Sequence, residues 1–213
     1  PFTPITTPVT SGGSFSGSRR EHGKRLAAEF EAAWTPPVYE PETTGTYLTF
    51  ASFPGLDLMF ESLESRRLGS QPKLVAVQQE ETPHGTVTNA TVFIPDGQKE
   101  FFLKKLEQYV ETAETVGGKP KNASLIEGIA SIRRATIREL WTDPADEFPA
   151  DPTRSCWWEV WLRAVDGKEH ARLAEYARQH GLPMSDHYLG FGDRTVVLLR
   201  ATGEQLAMTF RSI

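Results

Sequence analysis

Histidine, cysteine and clustered carboxylates are the residue types that do chemistry most often, and the chain offers each in only a few places. His84-Gly85-Thr86 is the most reactive-looking triplet. A histidine acting as general base for a nucleophilic serine needs a buried carboxylate to orient its ring and a serine at a helix start. No Asp-Ser/Thr-Gly or Gly-Thr-Ser run accompanies it, so the triplet reads as a turn between two strands. The loop WTDPADEFPADP (141–152) gathers Asp143, Asp146, Glu147 and Asp151, hard oxygen ligands of the kind calcium takes. Its spacing fits no EF-hand loop and its prolines stiffen it, so a solvated linker is expected. Cys156, the single cysteine, starts an alternating strand beside two tryptophans with no histidine in register, the setting of a structural thiol. His22, His170, His180 and His187 stand singly and form no metal pair. No catalytic residue, metal ligand or cofactor is assigned.

Two patterns suggest contact with another molecule. Lys119, Lys121, Arg133, Arg134 and Arg138 make a locally basic stretch, read as a solvated face or, more sharply, as a site for an acidic protein partner through Arg133, Arg134 and Arg138. The run CWWEVWLRA (156–164) is more informative. Strand alternation puts Cys156, Trp158, Val160, Leu162 and Ala164 on one face and Trp157, Glu159, Trp161 and Arg163 on the other. If the first set packs on helices, Trp157, Trp161 and Arg163 are displayed on an open sheet face, the mixture of aromatics and arginine that protein contacts favour. Asn89-Ala90-Thr91 and Asn122-Ala123-Ser124 match the glycosylation pattern and carry little weight without a secretory context.

The elements that must position these residues follow from periodicity in a chain of 213 residues. With 23 Lys+Arg against 28 Asp+Glu the net charge is −5, the wrong sign for neutralising many phosphates, so nucleic acid is not the expected partner. No apolar run approaches the roughly 18 residues of a membrane span. The start at Pro1 and the stop at Ile213, directly after an apolar helical stretch, suggest a fragment of a longer protein. Residues 1–17 read as a disordered tail and 18–45 as an N-terminal helix and linker, with Ser18 and Glu21 as a capping box. From 46 to 141 the order is βαββα: a strand at 46–52, a helix at 54–65, strands at 74–80 and 86–94, and a helix capped by Asp96. In the stretch 122–141 Leu125, Ile129, Ile132 and Leu140 argue helix while Ala135, Ile137 and Trp141 alternate like a strand, and a short helix leading into an edge strand satisfies both. Residues 142–155 form a linker, and 156–213 repeat the order, with strands at 156–164, 184–191 and 194–201, a helix at 170–180 ended by Gly181 and Pro183, and a last helix opened by the capping box Thr202–Gln205.

Such a unit folds most economically with its third strand inserted between the first two, giving an antiparallel sheet with helices on one face. The expected fold is α+β: two tandem ferredoxin-like βαββα(β) units plus an N-terminal helix, with the closing strand of the second unit falling beyond Ile213.

Several segments resemble the N-terminal, non-catalytic region of bacterial subtilisin-family serine peptidases: YLTFASFPGLDLMFESLESRR, TVFIPDGQKEFFLKKLEQY, GKPKNASLIEGIASIRRATIRELWTD, WWEVWLRA and DRTVVLLRATGEQLA. The resemblance spans about residues 21–210. It implies a chain without a catalytic triad of its own, in front of a subtilisin-like catalytic domain of the same parent protein. It further implies a propeptide-like second unit that chaperones, inhibits or recruits by protein contact, a bacterial cytoplasmic setting, and an AAA ATPase as a further partner. The extra first unit and the N-terminal helix depart from a simple propeptide. Two other readings stand beside it: a free-standing interaction module binding an ATPase or another protein, and, more remotely, a small-ligand enzyme using Cys156.

Overall fold

The computed structural model describes residues 15–34, 45–59, 63, 72–111, 120–164 and 166–212. The chain is α+β and divides into two compact units, the first ending at Ala135 and the second taking up at Thr136.

In the first unit helix α1 (Arg19–Trp34) precedes strand β1 (Gly45–Ser52), a hairpin of β2 (Lys73–Thr82) and β3 (Gly85–Pro95), helix α2 (Lys99–Glu111), one turn of helix α3 (Ala123–Ile126) and strand β4 (Ile129–Arg134). The strands pair antiparallel in the order β2-β3-β1-β4, so the third strand lies between the first two and β4 closes the far edge of β1. His22, Leu26, Phe30 and Ala33 recur at helical spacing on α1, and Phe102, Leu106 and Tyr109 on α2. These stripes meet Leu48 and Phe50 of β1 and Val92 and Ile94 of β3 in one core, where Phe30 stacks on Phe102 at 5.8 Å. The two helices approach closely at Gly23: a Cβ there would stand 2.4 Å from Val110 Cγ2. The N-terminal helix, expected to stand apart from the first unit, is therefore part of its core. Its start is as expected, with the Glu21 N–H donating to Ser18 Oγ at 3.3 Å.

Two local expectations are corrected. Pro54–Met59 is a turn, not the start of a helix: Gly55 takes a φ of +72° and its N–H donates to the Thr86 carbonyl, tying the segment to the hairpin. The rest of the expected helix, apart from Leu63, lies outside the described residues, as do the tail up to residue 14 and the linker at 35–44. Asp96 does not cap α2; it opens a 3₁₀ turn, Asp96–Gln98, whose N-cap is Pro95. The expected short helix leading into an edge strand is present as α3 and β4, the strand running over 129–134 and ending before Ala135, Ile137 and Trp141.

The second unit orders β5 (Cys156–Arg163), α4 (Glu169–Gln179), β6 (Met184–Gly190), β7 (Arg194–Ala201) and α5 (Gly203–Ser212). Its antiparallel sheet runs β5-β7-β6, again with the third strand inserted. Gly181, with φ +64°, ends α4. The last helix carries the anticipated reciprocal cap: Gln205 N–H donates to Thr202 Oγ1 at 3.1 Å and Thr202 N–H to Gln205 Oε1 at 2.9 Å. Trp158, Leu173, Ala177, Val197, Leu199 and Leu206 form the core, and Trp158 Nε1 donates to the Ala201 carbonyl at 2.9 Å. The stretch 142–155 is not a free linker. Phe148 meets Trp158 at 6.1 Å and Trp141 at 5.5 Å, so an aromatic corner draws the segment onto the second core.

Candidate protein-contact site

The eight residues of β5 pair with β7 in unbroken register from Cys156↔Ala201 to Arg163↔Arg194. Side chains in direct register share a face, so one face of the sheet collects Trp157, Glu159, Trp161 and Arg163 with Arg200, Leu198, Val196 and Arg194 opposite them. Leu189 of β6, paired to Val196, joins the same face. The other face carries Trp158, Val160 and Leu162 with Val197 and Leu199 toward the helices. Trp158 is only 5% exposed, whereas its neighbours Trp157 and Trp161 are 54% and 56% exposed.

The open face is thus an apolar strip within a charged frame. Trp161 stacks on Phe191 with ring centroids 6.0 Å apart and planes 2° from parallel, and its Nε1 donates to Glu159 at 2.7 Å. Leu189, Phe191 and Leu198 are 63%, 54% and 45% exposed, so the aromatic pair extends into a strip of large apolar side chains. Lone exposed apolar residues are ordinary, but a contiguous group on one sheet face marks a contact surface. Tryptophans held at one end by a hydrogen bond or a stack lose little freedom on binding, which suits them to anchor a partner. On the β5 and β7 rows Arg163, Arg194 and Arg200 outnumber Glu159, with Arg194 ion-paired to Asp193 at 3.3 Å.

Of the basic residues, Arg133 and Arg134 belong to β4 of the first unit and Arg138 to the second unit. Arg133 donates to Asn89 Oδ1 at 3.4 Å along the first sheet, while the Arg138 guanidinium lies 4.7 Å over the Phe148 ring in the second unit. Cation–π stacking there serves the aromatic corner. Lys119 lies outside the described residues.

His84 sits exposed in the β2–β3 turn, where its N–H donates to Thr82 Oγ1 and Gly85 takes a φ of +118°. His22 is buried: its Nε2–H donates to the Ile129 carbonyl at 2.8 Å, leaving Nδ1 to face the Tyr109 hydroxyl at 3.4 Å. Burial lowers the His22 pKa, because a charged ring would lose its water, and pushes Tyr109 up to about 12. His170 packs on Tyr188 and His180 on Tyr176. Asp151 accepts from the N–H and the hydroxyl of Thr153, bonds that hold its pKa below the usual value and account for its place in the acidic loop. Among the described residues no three His, Cys, Asp or Glu side chains converge on a metal position, and no helix there is long and apolar enough to cross a membrane. Cys156 is half-buried against the second core.

Sequence reasoning located Trp157, Trp161 and Arg163 and missed Leu189, Phe191 and Leu198. The signal for Leu198 was present in RTVVLLRA, where alternation opposes it to Leu199. Nothing local marked Phe191, which reaches the face only because the β6–β7 turn carries it under Trp161. No family model matches the chain, and no curated protein matches it.

Proposed function

We propose that the chain is the non-catalytic N-terminal region of a bacterial subtilisin-like serine endopeptidase. In this reading it comprises two ferredoxin-like units, the second of which chaperones, inhibits or recruits through its open sheet face. The strand orders β2-β3-β1-β4 and β5-β7-β6, each with the third strand inserted between the first two, support the ferredoxin-like description. The observation that carries the functional reading is the strip Trp157, Trp161, Leu189, Phe191 and Leu198, large apolar side chains left in water on the face away from the helices. Its partner is a subtilisin-type catalytic domain, and the effect on that partner is surface occlusion. The chain itself supplies no reacting group, and a cytoplasmic setting and an AAA ATPase as second partner belong to the same reading.

The test mixes the whole chain with a separately produced subtilisin-type catalytic domain of the resembling peptidases and measures complex formation by calorimetry and residual peptidase activity. Trp157→Ser and Trp161→Ser are each expected to weaken the complex about thirtyfold, ~2 kcal/mol, as central aromatic anchors do. Equal binding by the parent chain and both variants removes the open face from the account.

A further inference from the structure

We propose that Phe15 is a proton-released latch. Its ring covers the buried His22 imidazole while that imidazole is neutral, and lifts away when His22 takes up a proton, uncovering His22 and Phe53.

Four parts of the first unit build the cluster. Phe15 stacks on His22 with ring centroids 4.4 Å apart and planes 26° from parallel, and leans on Phe53, just after β1, at 5.9 Å. Phe53 lies 5.7 Å from His22, and Tyr109 of α2 meets the imidazole edge-on at 6.0 Å. His22 is left 5% exposed. The chain is shaped for this fold-back: a Cβ on Gly17 would stand 2.9 Å from Phe15 Cζ, so the ring lies where a side chain at 17 would push it off.

Hydrogen bonds select the neutral imidazole. The Ile129 carbonyl only accepts, so Nε2 carries the proton and donates to it at 2.8 Å. Nδ1 is then a bare lone pair and accepts from the Tyr109 hydroxyl at 3.4 Å. A second proton, on Nδ1, makes that hydroxyl the acceptor and takes away the acceptor of its own proton, on a tyrosine that is fully buried.

The charges around the ring divide. Arg25 on α1 opposes a positive imidazole, while Glu29 on α1 and Glu127 between α3 and β4 favour it. From α2 the facing group is Tyr109, which burial and Glu127 push up to about 12 against the pull of Arg19, so it stays neutral. Phe15 and Phe53 present only apolar rings. Burial outweighs the two carboxylates, so the His22 pKa lies below the usual value.

A charged ring therefore needs water, and Phe15 is the cover most easily moved. Tyr109 and Ile129 are fixed in a helix and a strand, whereas Phe15 precedes α1 and belongs to neither kind of element. The attraction of an imidazolium for a phenyl face is small beside the hydration it forgoes. The latch is closed above the ordinary histidine value of about 6.5 and opens as pH falls through the lower folded value.

The experiment follows the whole chain by NMR from about pH 7.5 to about 4.5, either side of the histidine range. Nuclear Overhauser contacts of the Phe15 ring with His22 and Phe53 are expected at neutral pH. They should vanish together with protonation of the imidazole whose signal is missing in His22→Gln, while the Phe30–Phe102 contact of the core persists. Phe15→Ala removes the cover and Gly17→Ala displaces it; each should raise the His22 midpoint by about one pH unit. In His22→Gln the Phe15–Phe53 contact should no longer depend on pH. Phe15 contacts that survive His22 protonation, or that disappear only with the Phe30–Phe102 contact, overturn the proposal. So does a His22 midpoint that is unchanged in Phe15→Ala, or lowered by loss of a stack that held the charged ring, and so does pH dependence retained in His22→Gln.

Discussion

β1 and β5 are the first strands of the two units, pair with the third strand of their unit in the same antiparallel sense, and lie in opposite environments. β1 lies between β3 and β4, and on its reverse face Thr49 and Thr91, both fully buried, share a hydrogen bond at 3.2 Å beside the ring pair Tyr47–Phe93 at 5.0 Å. β5 lies at a sheet edge, and its reverse face carries Trp157 and Trp161 in water. Two tryptophans about half exposed, Trp161 with its Nε1 bonded to Glu159, gain by being covered. The difference teaches that one insertion of the third strand encloses the first strand in one unit and, among the described residues, leaves it at the sheet edge with exposed aromatics in the other.

The sharpest way to break that comparison lies within β5 itself. Trp158→Ala removes the buried ring and its bond to the Ala201 carbonyl, and should cost ~3–5 kcal/mol in urea unfolding followed by circular dichroism. Gly23→Leu probes the closed unit; with a Cβ already 2.4 Å from Val110, overpacking should cost ~1–3 kcal/mol and appear as a lowered urea midpoint of the first unit. Thr202→Ala deletes one arm of the reciprocal cap of α5 and should cost ~1 kcal/mol. Trp157→Ser should change stability by no more than ~0.5 kcal/mol, since its ring is exposed. A loss as large as that of Trp158→Ala would show that the open face belongs to a core.

The smallest effect near neutrality concerns His22. Its folded pKa is lowered by burial, so folding favours the neutral ring. Its contribution is complete above the unfolded value of about 6.5 and is lost as pH falls through that value toward the folded one. His22→Gln should flatten the acid side of the stability profile, read by thermal melts across mildly acidic buffers, and an unchanged profile would remove His22 as its source.

Much of the site was legible because it is written in a period of two. The alternation of CWWEVWLRA assigned Trp157 and Trp161 to one face and Trp158 to the other, and the structure places them so. The cap at Thr202 and the stop at Gly181 were legible for the same reason, since each depends on neighbours within four residues. The segment at 129–134 was not. Ile129 and Ile132, three apart, read as helical, yet both are buried on a strand because a register shift pairs Ser52 with Ile129 and Ala51 with Ser131, returning both isoleucines to the core. A bulge is fixed by the partner strand and leaves no local signature. The acidic loop misled in a similar way: its prolines and carboxylates outweigh Trp141 and Phe148, whose importance appears only once Trp158 is beside them.

By itself the sequence determined the α+β class, the runs that become β1, β2, β3, β5, β6 and β7 and which side of β5 each tryptophan takes, since those follow from torsional preference and from side chains alternating along one strand. Only the tertiary structure decided that α1 belongs to the first core, that Phe191 completes the aromatic strip, and that β1 is enclosed while β5 is left at an edge. These depend on which backbone groups, far apart in the chain, find each other as hydrogen-bonding partners, and no local periodicity encodes that pairing.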